Sequence, residues 1–241
     1  MTATTRTESA FQVIPAHSRG RTDLGWLKSD HSFSFGQYQS PSRTAYHALR
    51  VINDDVVEAG KGFGEHPHHE MEILTWVLEG SVKHKDSTGN QGEILPGDLQ
   101  IMSAGTGIHH SEMNGQTDTS SRFLQIWIQP STRRVDPRYQ QRSFESSERT
   151  NRWQLLASPD QSEGSLHLNA DARVSVTTLT ANASINTTVG KGRFGYLQIA
   201  RGNAKIGDLI LSEGDGAEFA GGQPFEIQSD QGAEILLFDL V

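Results

Sequence analysis

Glu72-Ile73-Leu74-Thr75-Trp76-Val77-Leu78, closed by Glu79-Gly80, is the stretch that sets the fold class. It is an apolar run rich in β-formers that ends on a glycine turn, and it reads as a strand. Downstream, Phe123-Leu124-Gln125-Ile126-Trp127-Ile128-Gln129 alternates and stops at Pro130. Between the two lie turn signals at Ser87-Thr88-Gly89-Asn90 and Pro96-Gly97-Asp98. Short strands punctuated every 8–12 residues or so indicate an all-β sandwich or barrel rather than βαβ units.

The second half repeats the style. Leu197-Gln198-Ile199-Ala200-Arg201-Gly202 resembles Thr75 to Gly80, and Leu211-Ser212-Glu213-Gly214-Asp215-Gly216 parallels Ile94 to Leu99. The two pairs are separated by nearly the same distance, about half the chain, which points to a duplicated domain. The polar stretch after Pro130 supplies the boundary, dividing the chain into residues 1–131 and 132–241. The equally polar segment from Gln140 to Arg152 reads as a continuing surface connector.

Composition narrows the functional classes. The chain of 241 residues carries 21 basic and 29 acidic side chains, a formal charge of −8. That balance disfavours nucleic acid and anionic membranes as partners. No apolar run approaches the ~18 residues a membrane helix needs, and the polar N-terminus lacks a signal-peptide core, so a cytoplasmic protein is expected. With no cysteine, disulfides, thiolate metal sites and cysteine nucleophiles are excluded.

The ten histidines are unevenly spread, nine of them within the first 110 residues. In Glu65-His66-Pro67-His68-His69-Glu70-Met71-Glu72, an extended segment points His66 and His68 to one face and His69 to the other. In Ile108-His109-His110-Ser111-Glu112, His110 and Glu112 share a face. Side by side, the two segments would give three imidazoles and a carboxylate, suited to a divalent transition metal with one or two positions left for water, substrate or dioxygen. Glu70 and Glu72 have the same parity as His66 and His68 and compete with Glu112 as the carboxylate. His69 and His109 are surface neighbours or groups that orient ligands.

At these residues the chain resembles the pirin family of bicupins. The resemblance rests on His66-Pro67-His68, Glu72 to Gly80, His84, Asp86-Ser87, Gly89-Asn90 and Ile101 to Glu112. Upstream, His31-Ser32-Phe33-Ser34-Phe35 and Leu49-Arg50-Val51-Ile52-Asn53-Asp54-Asp55 add to it. It is close over roughly residues 19–130 and looser beyond. The general cupin motifs fall on Gly60, His66, His68 and Glu72, then on Gly97, Gly105, His110 and Asn114.

The resemblance implies two tandem cupin (double-stranded β-helix, jelly-roll) barrels, with the metal held by His66, His68, His110 and Glu112. Many pirins have Arg-Gly where this chain has His69-Glu70. The second barrel, with His167 as its single histidine, is expected to be a degenerate, metal-free copy.

The implied activity is that of a quercetin 2,3-dioxygenase, acting on a flavonol and dioxygen with Glu112 as general base. Trp76, Trp127, Phe33 and Phe35 are candidate walls for a flat substrate. Fe(II) is the favoured metal, with Cu, Ni, Co, Mn or Zn accepted by the same ligands. A monomer is expected. The alternative is a metal- or redox-sensing regulatory pirin that acts through protein partners.

Overall fold

The structure, a computed structural model, describes residues 11–241. In chain order its strands are β1 (Phe11–Ile14), β2 (Gly20–Asp23), β3 (Leu27–His31), β4 (Leu49–Val57), β5 (Gly62–His68), β6 (Glu72–Glu79) and β7 (Val82–Asp86). There follow β8 (Gln91–Ile94), β9 (Asp98–Ser103), β10 (Ile108–Asn114), β11 (Ser121–Ile128), β12 (Arg138–Ser143), β13 (Gln154–Ser158) and β14 (Leu166–His167). The last seven are β15 (Ala172–Leu179), β16 (Ala183–Thr187), β17 (Phe194–Ile206), β18 (Leu209–Ser212), β19 (Gly216–Ala220), β20 (Phe225–Ser229) and β21 (Ala233–Leu240). The all-β expectation holds, and the chain forms two cupin units.

The histidine-bearing unit comprises residues 19–145 and 156–172. Its larger sheet has seven antiparallel strands in the order β12-β9-β6-β11-β4-β3-β2, and its smaller sheet runs β5-β10-β7-β8. The two sheets face each other: Thr75 on β6 and Gln125 on β11 both reach Glu112 on β10. The apolar stretch Glu72–Leu78 is buried throughout. Val77 packs with Leu27, Val57, Val82, Ile94 and Phe123 inside the unit. Alternation turns the fully buried Trp76 to the opposite face.

The other unit contains the described residues up to 18, with 146–155 and 173–241. One sheet runs β1-β19-β17-β21-β15, and β16-β20-β17-β18 forms the other. The 13-residue β17 serves both, with a register irregularity between Ile199 and Arg201. Leu197, Ile199, Leu211, Phe219, Ile227 and Ile235 form its core.

The duplicated turns seen in the sequence have the same geometry. Gly80 follows the end of β6 at φ +70°, and Gly202 lies within the long β17 at φ +71°, where the strand passes between its two sheets; both are in a region that favours glycine. Gly97 (φ +92°) and Gly214 (φ +87°) occupy matching turns. In one, Asp98 Oδ2 accepts from the Leu95 N–H at 3.1 Å; in the other, Asp215 Oδ2 accepts from the Ser212 N–H at 2.8 Å.

The chain departs from a single cut after residue 131. Residues 138–143, read as connector, form β12 and pair with β9 from Arg138↔Ser103 to Ser143↔Asp98. An edge strand keeps one side in solvent, which is why its sequence is polar. At the other end, β1 pairs with β19, from Phe11↔Phe219 to Ile14↔Gly216. His167 falls in the histidine-bearing unit, where Arg138 Nη2 donates to its Nδ1 at 2.8 Å.

Candidate metal centre

Strands β5 and β10 are ladder neighbours, with His110 opposite His66 and Ile108 opposite His68. This register gathers three rings whose centroids lie 4.5–4.9 Å apart, His66–His110 being the closest pair. One ligand nitrogen from each of His66, His68 and His110 lies within 4.8 Å of the others. Each ring has a reason to be neutral or oriented. Burial, then the His110 and His66 rings, pushes His68 down to about 4. Burial, then His66 and His84, pushes His110 down to about 3. Both therefore keep a lone pair available at neutral pH.

The register between β5 and β10 shifts after His110↔His66, so that Glu112 stands opposite Phe63. This bulge takes up one extra residue of β5 around Gly64. Phe63 consequently lines the same cavity as His66 and His68, where strict alternation would have turned it away. The Gly64 carbonyl also accepts from His66 Nδ1 at 2.7 Å. That bond fixes the proton on Nδ1 and leaves Nε2 for a metal.

His110 is oriented from the other side. Its Nδ1 lies 3.4 Å from His84 Nδ1, and His84 Nε2 lies 3.1 Å from Asp86 Oδ2. The consistent reading is a relay in which His110 Nδ1–H donates to His84 and His84 Nε2–H donates to Asp86. Burial alone would raise the Asp86 carboxyl, but hydrogen bonds from Thr88, His84 and Asn90 together hold it below the ordinary value. His84 is buried and stacks on Tyr139 with centroids 4.8 Å apart. His110 Nε2 is then left buried without a hydrogen-bond partner. An orphaned imidazole nitrogen facing two other imidazoles fits a divalent transition metal.

Glu112 lies in the same cavity, 4% exposed. Its Oε1 accepts from Thr75 Oγ1 at 3.2 Å and its Oε2 from Gln125 Nε2 at 2.7 Å. It stands outside the three-imidazole group defined by the 4.8 Å separation. The two competing carboxylates have other partners. Glu70 sits at φ +50°, which breaks the strand parity, and its Oε1 accepts from the Arg134 N–H at 3.0 Å. Glu72 Oε2 accepts from Ser103 Oγ at 2.8 Å and from the Asn169 N–H at 3.2 Å. His69 and His109 are exposed. Asn114 holds a turn, donating to the carbonyls of Val57 and Thr119.

His66 and His68 line a cavity of about 590 Å³. Trp127 and Phe35 line it, as expected, but Trp76 and Phe33 do not; Phe63 and Leu24 take their place. The Trp127 ring meets His68 edge-on at 4.9 Å and Phe35 at 5.4 Å. Sequence reasoning missed the orienting pair His84 and Asp86 and the wall Phe63. An H-x-D spacing on one strand was a legible signal for the pair; the bulge had none beyond a glycine within the strand.

Known proteins share this architecture. The Pirin family model matches residues 13–128 and the model of the quercetinase C-terminal cupin domain matches 155–240. A relative named quercetin 2,3-dioxygenase from Escherichia coli K12 is 44% identical over 225 residues, covering 93% of this chain and 96% of that one. A pirin-like protein from Caulobacter vibrioides is 38% identical, with 93% and 97% covered. The crystal structure of the bacterial pirin YhhW from Escherichia coli in complex with nickel(II) superposes with a TM-score of 0.90 at 42% identity, covering 95% of this chain and 98% of that one. Relatedness extends through both cupins, and the chain belongs to the pirin family.

Proposed function

We propose that this chain is a metal-dependent dioxygenase that cleaves a flavonol such as quercetin at a three-histidine, one-glutamate site. His66, His68 and His110 would hold one divalent transition metal, with Glu112 as fourth ligand and as base. The observation that carries the reading is the cluster of three imidazoles, two of which line an aromatic-walled cavity of about 590 Å³. The naming of the 44% identical relative supports it. The domain reading that accompanies it is a metal-binding N-terminal cupin and a metal-free C-terminal cupin, divided near residue 131 except that residues 132–145 and 156–172 pack with the first.

A bound metal supplies Lewis acidity toward the flavonol 3-hydroxyl and its neighbouring carbonyl. The remaining work falls to the protein. Trp127, Phe35 and Phe63 hold a flat ring system and exclude water. Glu112 takes the proton as the hydroxyl O–H bond breaks, leaving the electron pair on the flavonol oxygen. Thr75 and Gln125 fix the carboxylate in place for that transfer. The electron-rich flavonol then takes up both atoms of dioxygen, and its central ring opens with release of carbon monoxide. Fe(II) is the metal favoured for this chemistry, and the nickel complex of the E. coli pirin is compatible with the same donor set.

The test follows flavonol absorbance and carbon monoxide release under oxygen with metal-loaded protein, an active relative serving as control. Turnover by the wild type and its loss in His66→Ala, together with lowered metal content in that variant, is the expected outcome. Unchanged absorbance with a fully loaded protein would refute the activity, and unchanged metal in His66→Ala would refute the site.

A further inference from the structure

The cavity contains one carboxyl that the proposed reaction leaves idle. Asp55 on β4 lines the cavity and is 2% exposed, and its Oδ1 has no hydrogen-bond partner. Its neighbours on the strand are committed elsewhere. Asp54, on the opposite face, takes a two-pronged pair from Arg122 with both contacts at 2.8 Å. Asn53 Oδ1 lies 2.8 Å from His31 Nδ1. Across the ladders Asp55 faces Phe123 and Ser29, and Ser29 hydrogen-bonds the carboxyl. One oxygen is therefore held while the other is buried and unpaired, in a side chain that lines the cavity.

Buried polar atoms in native structures nearly always have a partner, so an orphan lining a ligand cavity is an acceptor awaiting a donor. The surroundings narrow the donor. Phe35, Phe63, Trp127 and Leu27 make the cavity walls largely apolar, which favours a flat ring bearing a neutral O–H over a hydrated cation. Burial raises the Asp55 carboxyl to about 7, consistent with a site built for a neutral partner. We infer that Asp55 receives a hydrogen bond from a phenolic hydroxyl of the bound substrate, remote from the hydroxyl that reacts, and so selects polyhydroxylated aromatic rings. The inference rests on the flavonol reading above and adds a specificity-determining residue to it.

The test is equilibrium binding without oxygen, so that turnover plays no part. Metal-loaded wild type, Asp55→Leu and Asp55→Asn are titrated with quercetin and with flavonols that each lack one ring hydroxyl, and metal content is measured in all three proteins. Asp55→Leu should weaken quercetin binding roughly 10- to 100-fold. That loss should vanish for the one analogue whose missing hydroxyl is the partner. Asp55→Asn, which keeps an acceptor oxygen, should recover most of the affinity. A loss equal for every analogue, or no loss, overturns the inference while leaving the flavonol reading intact. Reduced metal content in both variants would place Asp55 in the metal centre and also overturn it. A wild type that binds none of the flavonols overturns the functional reading, and the inference with it.

Discussion

Replacing His84 by Phe isolates the relay that aims His110. Phenylalanine keeps a flat ring against Tyr139, which His84 meets at 4.8 Å, but offers no acceptor to His110 Nδ1, now 3.4 Å from His84 Nδ1. His110 is 1% exposed and buried on every side, so an unpaired N–H there costs about 1–3 kcal/mol. The metal-free variant escapes that cost by moving the proton to Nε2 or turning the ring, and metal binding must reverse the change. Metal affinity should therefore fall roughly 10- to 100-fold, the range expected when a ligand's orienting partner is lost. The larger ring also overpacks the site, lowering stability by about 1–3 kcal/mol. Direct competition against a chelating dye, rather than melting temperature, is therefore the deciding assay. A natively folded His84→Phe protein with wild-type metal affinity would refute the relay.

Two further outcomes follow from the same geometry. At Gly62 a Cβ would lie 2.3 Å from the Glu112 carbonyl oxygen and 2.6 Å from Met113 Cα. Gly62→Ala must therefore push β5 from β10, lowering stability by about 1–3 kcal/mol and weakening metal binding; wild-type melting and metal affinity together would contradict that close approach. Asp55, raised by burial to about 7, stays protonated in the folded chain where the unfolded chain is ionised. The folded form thus holds the extra proton between about pH 4 and about 7, and stability declines as pH rises through that window. Asp55→Asn lacks this component, so its melting temperature should gain on wild type from about pH 5 to about pH 7; parallel curves would show that Asp55 does not titrate there.

Much of the architecture was legible because its signals are local. The Glu72–Gly80 run and the Pro96-Gly97-Asp98 turn, each echoed in the second half, are set by strand burial and left-handed glycines. The pairs His66/His68 and His110/Glu112 were legible through strand alternation. Alternation failed where the backbone interrupts it. The bulge at Gly64 brings Phe63 inward, and the positive φ of Glu70 removes both Glu70 and Glu72 from the face of the imidazoles. The sequence also could not show that a polar segment, Arg138–Ser143, pairs at a sheet edge, because an edge strand and a surface loop have the same composition. Asp55 was visible within the family motif, but its idle oxygen depends on what β3 and β11 place beside it.

The position of β5 in its sheet has a mechanical consequence. It is a terminal strand of the order β5-β10-β7-β8 and the one of the four with no fully buried residue. Two of the imidazoles ride on it and the third on its sole neighbour. An ion shared by them would rivet the margin of the sheet to its interior, adding a cross-link where backbone pairing is one-sided. Loading would then govern shelf life as well as chemistry: the metal-free protein should fray first at residues 62–68, exposing an open ladder to other chains, and amide exchange there should slow on metal addition.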